Sequence, residues 1–369
     1  MLCQIFYLNH KIKSIMNRNY YLKLAKAGAS MVLATDLVLK EKANHEDLLN
    51  DGDELGKIIL ESSNRYDLDL ALPFMDLSLE KEWLLTLLGI EKSKIEKFHF
   101  DENINETVIE KVKENIDTIS TQRIDATCNA LTYITKNTDK LAVGMCIGPF
   151  SLMTKLMSEP ISPVFLAAMG GTASDDASIK NVEIILQLAE IIITKYIQKQ
   201  AAAGAKAICV CEPAANKIYI SPDVMTEETG DIFDRYVISI NQRLTDEMAR
   251  NGVDLIFHDC GDITELMLKK ISTLHPVILS LGSPVKLWEA AMIVPKDIVL
   301  FGNLPTKQFF MDETISPERV EEMSNELITK MAATGHPFIL GSECDVLSVS
   351  GYEKTISNKI NIMLNCCRH

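Results

Sequence analysis

The chain alternates short apolar runs with longer stretches of helical periodicity. Eight runs stand out: Ser30–Ala34, Leu70–Phe74, Leu141–Ile147, Ala207–Cys211, Leu255–His258, Val277–Leu281, Ile298–Phe301 and Phe338–Leu340. Each closes on a polar residue or a glycine. Most are continuous rather than alternating, the pattern of parallel strands covered on both faces. Between them, apolar positions recur at helical spacing: Val182, Ile185, Leu186, Ala189, Ile192 and Tyr196 form one such face. Residues 231–251 and 317–334 read the same way. Strand–helix–strand units connect right-handedly, and eight of them in 369 residues predict a (β/α)8 TIM barrel. An open doubly wound sheet is the competing architecture. Residues 1–29 are predicted to be an N-terminal helical extension, and residues 91–138, which hold no strand-like run, a helical insertion. No Pro-, Gly- or Ser-rich linker divides residues 1–369, which predicts a single domain.

Composition narrows the function classes. Apolar residues make up 47% of the chain and charged ones 24%, a mix that excludes wholesale disorder. The net charge is −14, which disfavours nucleic acid and anionic membrane surfaces as partners. No apolar run approaches the roughly 20 residues of a membrane span. The apolar start Met1–Leu8 is too short for a signal sequence, and Met16 is an alternative first residue; the expected location is cytoplasmic. The nine cysteines are odd in number and scattered, so free or metal-bound thiols are expected in place of a disulfide framework.

Barrel active sites lie at the C-terminal ends of the strands. The sharpest chemistry there is Phe257-His258-Asp259-Cys260-Gly261-Asp262. His258 and Cys260 are two apart, so both point to one face of a strand, and imidazole plus thiolate is half of a zinc site. Cys344, after the eighth run, opens onto the same mouth and completes a set of three ligands. Three protein ligands leave a fourth position open, the mark of a catalytic zinc. Two thiolates balance the ion, and such a zinc suits the activation of a thiol. Cys209 and Cys211, on the fourth run, are a rival source of ligands for His258 and Cys260. Gly261 permits a tight turn, after which Asp262 and Glu265 are expected to form a capping box for the next helix. Asp36, Asp76, Glu212, Asn303 and Glu343 also close runs; each is either a cap, a loop residue or a site residue.

The order of these motifs along the chain resembles the uroporphyrinogen decarboxylase superfamily, and within it the zinc-dependent corrinoid methyltransferases. His258-Asp259-Cys260-Gly261 resembles the family's His-x-Cys-Gly, and Gly148-Pro149-Phe150-Ser151 its Gly-Pro-Phe-Thr. Gly302-Asn303-Leu304 resembles the close of its seventh strand, while 34–39 with Met75-Asp76-Leu77 looks like the methyltransferase branch. The resemblance implies transfer of a methyl group from methylcobalamin, carried by a separate corrinoid protein, to an acceptor. Zn2+ held by His258, Cys260 and Cys344 would bind coenzyme M as a thiolate; in another branch tetrahydrofolate is the acceptor. Glu212, Asp36 and Asp76 are the expected catalytic acids, and Asn303 and Gly261 the expected cofactor contacts. Two departures matter. The decarboxylases' arginine-rich substrate clamp is missing, since no arginine lies between Arg18 and Arg65. Cobalamin-independent methionine synthases carry a glutamate one strand after the His-x-Cys, where this chain has Gly282-Ser283. A metal-free decarboxylase-like lyase, whose clamp would have to come from Arg123, Arg235 or Arg243, is the alternative enzyme; a non-catalytic corrinoid- or pterin-binding barrel is the third reading.

Overall fold

The computed structural model describes residues 18–100, 103–225 and 231–367. Residues 1–17, which include the apolar start, Cys3 and Met16, lie outside the described residues. Eight parallel strands form one curled sheet: β1 (Ser30–Leu33), β2 (Leu70–Ala71), β3 (Leu141–Ile147), β4 (Ala207–Cys211), β5 (Asp254–Asp259), β6 (Ile278–Leu281), β7 (Val299–Leu304) and β8 (Phe338–Asp345). Their order is β1-β8-β7-β6-β5-β4-β3-β2. This is the α/β (β/α)8 TIM barrel, and the open doubly wound alternative is set aside by β1 pairing with β8. At the seam between β1 and β2, a side chain replaces the ladder: Thr35 Oγ1 donates to the Leu72 carbonyl at 2.7 Å.

Every apolar run became a strand, because both faces of each are covered. The interior faces of β3 to β8 are buried throughout, apart from first residues such as Leu141 and Phe338. Strand ends differ from the expectation. β8 continues past Leu340 through Gly341, Ser342, Glu343 and Cys344 to Asp345, so Cys344 lies within the strand. β7 likewise continues through Asn303 to Leu304. β2 is shorter than its run because Pro73 offers no N–H and the Met75 amide bonds to the Asp345 side chain instead.

Among the described residues, 91–138 holds helices Lys92–Ile95, Thr107–Asn115 and Gln122–Asn137 and no strand. The last of these packs on helix Gly52–Arg65 in the outer ring. Glycines make that approach possible: a Cβ on Gly52 would lie 2.3 Å from Asn129 Cβ, and one on Gly56 would meet the Tyr133 ring. The segment therefore supplies the ring helix of the second βα unit as well as extra structure. A helix over residues 18–26 leads into β1, and Arg18 donates to the carbonyls of His275, Pro276 and Asp297 at the starts of β6 and β7. No described helix is long and apolar enough to cross a membrane.

Candidate metal centre

Strand register assembles the site. Cys211 of β4 pairs with His258 of β5, and His258 pairs with Ser280 of β6. The second pairing puts a hydroxyl beside the imidazole: His258 Nδ1 lies 2.8 Å from Ser280 Oγ in a buried hydrogen bond. The other ring nitrogen, Nε2, is buried with no hydrogen-bond partner. Buried polar atoms are ordinarily paired, so Nε2 is available as a ligand atom to a metal ion.

Cys260 and Cys344 stand where that nitrogen faces. Among the described residues, His258, Cys260 and Cys344 form the one group of His, Cys, Asp or Glu whose donor atoms all lie within 4.8 Å of one another. The two sulfurs are 3.9 Å apart. Two sulfurs bonded to one zinc at about 2.3 Å lie about 3.8 Å apart at tetrahedral angles. The donor set, the sulfur spacing and the orphaned nitrogen all fit a zinc ion. β5 can approach β6 this closely because residue 282 is a glycine: a Cβ there would lie 2.5 Å from the Cys260 carbonyl oxygen.

The electrostatics favour one thiolate at once. The Cys344 thiol, then His258 and Lys307, stabilise the charge on Cys260 against burial and hold its pKa well below that of an ordinary thiol. Cys344 is held protonated beside it. Burial opposes the charge on Lys307, but the attraction of Cys260, Cys344 and Glu343 prevails and raises its pKa. Lys307 follows β7 on the 3-10 turn Thr306–Gln308.

The other sequence candidates are placed elsewhere or engaged. Glu212 is fully buried, and its carboxylate accepts from Phe150 N at 3.1 Å, Ser151 N at 2.8 Å and Asn241 Nδ2 at 2.9 Å. Phe150 and Ser151 are in the first turn of helix Pro149–Leu156. Glu212 therefore caps that helix from the end of the neighbouring strand. Gly148 makes room for it, since a Cβ there would lie 2.0 Å from the carboxyl carbon. Asp76 pairs with Arg123 and accepts from Ser78 N and Oγ at 3.1 and 2.6 Å. Asp36 accepts from Ser348 N at 2.9 Å, tying down the loop after β8. Asn303 donates to the carbonyls of Gly282 and Val285 at 2.8 and 2.6 Å, and so fixes the loop that flanks Cys260. Gly261 donates its N–H to Asp259 Oδ1 at 2.8 Å and packs on Asn216; it shapes the turn. Glu343 accepts from the amides of Ser283 and Lys307. Cys209 and Cys211 lie in β4 with sulfurs 3.8 Å apart, outside the three-residue group. The next helix, Glu265–Ser272, is capped by Thr264, whose hydroxyl accepts from Met267 N at 3.1 Å; Asp262 instead pairs with Lys217.

The sequence reading missed four neighbours of the group: Ser280, Lys307, Met75 and Asp345. Met75 Sδ lies 3.8 Å from Cys344 Sγ. Asp345 is buried, accepts from Met75 N at 2.7 Å, and burial pushes its carboxyl up to about 7. A serine inside the apolar run Val277–Leu281 was the available signal, because a buried hydroxyl needs a partner.

The three arginines that a decarboxylase-like clamp would require are all paired with acids: Arg123 with Asp76, Arg235 with Glu183, and Arg243 with Glu190 at 2.5 Å.

Comparison with known proteins agrees with this architecture. A methyltransferase from Methanosarcina mazei superposes with a TM-score of 0.64 at 14% identity, over 92% of this chain and 92% of its own. At that identity the likeness is one of fold. A B12-independent methionine synthase from Shewanella sp. W3-18-1, in complex with selenomethionine, gives a TM-score of 0.42 at 14% identity over 65% of this chain and 66% of its own. A putative vitamin-B12 independent methionine synthase from Listeria monocytogenes gives 0.47 at 13% identity over 92% and 95%. No curated protein sequence matches the chain. The family model for uroporphyrinogen decarboxylase (URO-D) matches residues 23–357, and the chain belongs to that family.

Proposed function

We propose that the protein is a methyltransferase that moves a methyl group from methylcobalamin, borne by a corrinoid protein, to a thiol activated at a zinc ion held by His258, Cys260 and Cys344. The single observation that carries this reading is the convergence of an unpartnered imidazole nitrogen and two thiols at the mouth of the barrel. A zinc bound there supplies Lewis acidity that lets a thiol ionise at neutral pH.

The chain's own residues prepare that chemistry. With Nε2 on the ion, the ring proton sits on Nδ1, and Ser280 Oγ, 2.8 Å away, accepts it and holds the imidazole in that orientation. Lys307 offsets the negative charge that a third sulfur anion brings to two cysteine thiolates. Glu343 holds the loops after β6 and β7 together through the Ser283 and Lys307 amides, and so keeps Lys307 at the group. Asn303 pins the Gly282 turn against Cys260. In that reaction the acceptor thiol would release its proton to solvent and its sulfur would take the methyl group, the corrinoid keeping the electron pair of the broken carbon–cobalt bond.

Coenzyme M is the thiol the family resemblance suggests. Tetrahydrofolate as acceptor would ask for free acids and a free amide at the mouth, whereas Glu212, Asp76 and Asn303 already have partners. The three arginines the lyase reading calls on, Arg123, Arg235 and Arg243, are each paired with an acid. Anaerobic incubation of the zinc-loaded protein with methylcobalamin and coenzyme M, homocysteine or tetrahydrofolate tests the assignment. Appearance of the cob(I)alamin spectrum with a thiol supports it. Turnover with tetrahydrofolate alone moves the protein to the other branch, and no turnover with any acceptor favours a binding role.

A further inference from the structure

The sulfur spacing that fits Cys260 and Cys344 to one metal ion recurs on a third sulfur. Cys344 Sγ is 3.9 Å from Cys260 Sγ and 3.8 Å from Met75 Sδ. Two sulfurs on one zinc are about 3.8 Å apart at tetrahedral angles. Met75 lies beyond β2, and β1 stands between it and β8 in the circuit of the barrel, so no neighbouring ladder puts it there. Its position is fixed by a specific bond: the Met75 amide donates to Oδ2 of Asp345, the residue after Cys344, at 2.7 Å. The strand that supplies one thiol therefore also holds the thioether against it.

We propose that Met75 is the fourth ligand of the metal group, a thioether that closes the site until an acceptor arrives. This rests on the reading that His258, Cys260 and Cys344 hold zinc. A thioether is neutral, so two thiolates still balance a divalent ion; a carboxylate in that place would leave an excess negative charge. It is also a weaker donor than a thiolate, so an acceptor thiol that gives up its proton displaces it. The arrangement answers the missing glutamate of the Gly282-Ser283 turn with a softer group from the opposite side of the mouth. Three sulfurs and an imidazole select soft and borderline ions over magnesium or calcium. The competing account is that Met75 is a flexible apolar filler beside a thiol.

Selenium labelling separates the two. The protein is grown on selenomethionine, loaded with zinc and measured by X-ray absorption at the zinc edge, where only selenium bonded to the ion contributes a close shell. The expected result is one zinc–selenium distance about 0.1 Å longer than the zinc–sulfur distance of about 2.3 Å. That shell should disappear in Met75→Leu and on addition of coenzyme M to the labelled wild type. Zinc bound through two sulfurs and a nitrogen, with no selenium shell in the wild type, overturns the assignment of Met75 and leaves the three-residue group standing. A chain that retains no zinc at all overturns both. The unsubstituted labelled protein carries the decision, so a folding defect in Met75→Leu would not obscure it.

Discussion

Two neighbouring regions of the mouth carry the same kinds of residue and do different work. The end of β4 offers Cys209, Cys211 and Glu212, and the ends of β5 and β8 offer His258, Cys260 and Cys344. In sequence each offers a metal-binding pair two residues apart, Cys209 with Cys211 and His258 with Cys260. In the folded chain, Glu212 is spent on two helix amides and Asn241, and the β4 thiols are buried against each other. At β5 and β8 a ring nitrogen has no partner and two sulfurs converge on it. What distinguishes a site from a structural cluster is bonding capacity left unmet and aimed at one point. Glu80 shows why the convergence matters. Its Oε1 accepts from Ile147 N while Oε2 is buried without a partner, yet burial raises its pKa to about 8, so near neutrality the group is held as the uncharged acid and brings no charge to a metal.

The contrast can be broken at either end. The largest effect is expected from Cys260→Ala: zinc content should fall from about one per chain to near zero, while the unfolding free energy of the metal-free protein changes by about 1 kcal/mol or less. Metal analysis and urea titration read the two quantities. Glu212→Ala should do the reverse. It strands two buried amides and a side-chain amide, each worth about 1–3 kcal/mol. Stability should drop by about 3 kcal/mol or more with zinc stoichiometry intact; loss of zinc in a stable protein would move Glu212 into the site.

Glu80→Gln tests the proton account. A carboxyl whose pKa is raised on folding binds its proton more tightly in the native state, so stability is greatest below the unfolded value and falls as pH rises through about 8. The wild type should lose on the order of a few kcal/mol between pH 5 and 8 from this group, and the glutamine variant should flatten that slope in denaturation curves. The smallest expected effect is from Ser280→Ala, which frees the imidazole to rotate and change tautomer. Zinc affinity should weaken by about 10–100-fold in chelator competition, with the fold unchanged. An affinity equal to wild type would remove Ser280 from the site.

The barrel was legible in the sequence because buried parallel strands read as uninterrupted apolar runs. The His258–Cys260 pair was legible for a local reason, the two-residue period of a strand. The partners of the polar strand end were not: Ser342, Glu343 and Asp345 are buried in β8 through contacts with Leu33, Ser283, Lys307 and Met75, none of them near in sequence. Glu212 looked available because its three donors come from the helix after β3 and from Asn241. Asp262 looked like a cap because local spacing allowed it, but the helix starts at Glu265 and Thr264 takes that place. Residues that act through long-range partners, such as Ser280, Lys307 and Met75, become visible only when register and loop positions are known.

The central claim is that an acceptor thiol is ionised at a metal held by His258, Cys260 and Cys344. Replacing zinc with cobalt(II) makes that claim visible, because sulfur ligands produce intense near-ultraviolet charge-transfer absorption. Adding coenzyme M to the cobalt-substituted wild type should change that band and release about one proton per chain, as a thiol becomes a thiolate ligand. Neither signal should appear in Cys260→Ala. An unchanged band and no proton release in a wild-type protein that holds its metal would contradict the account.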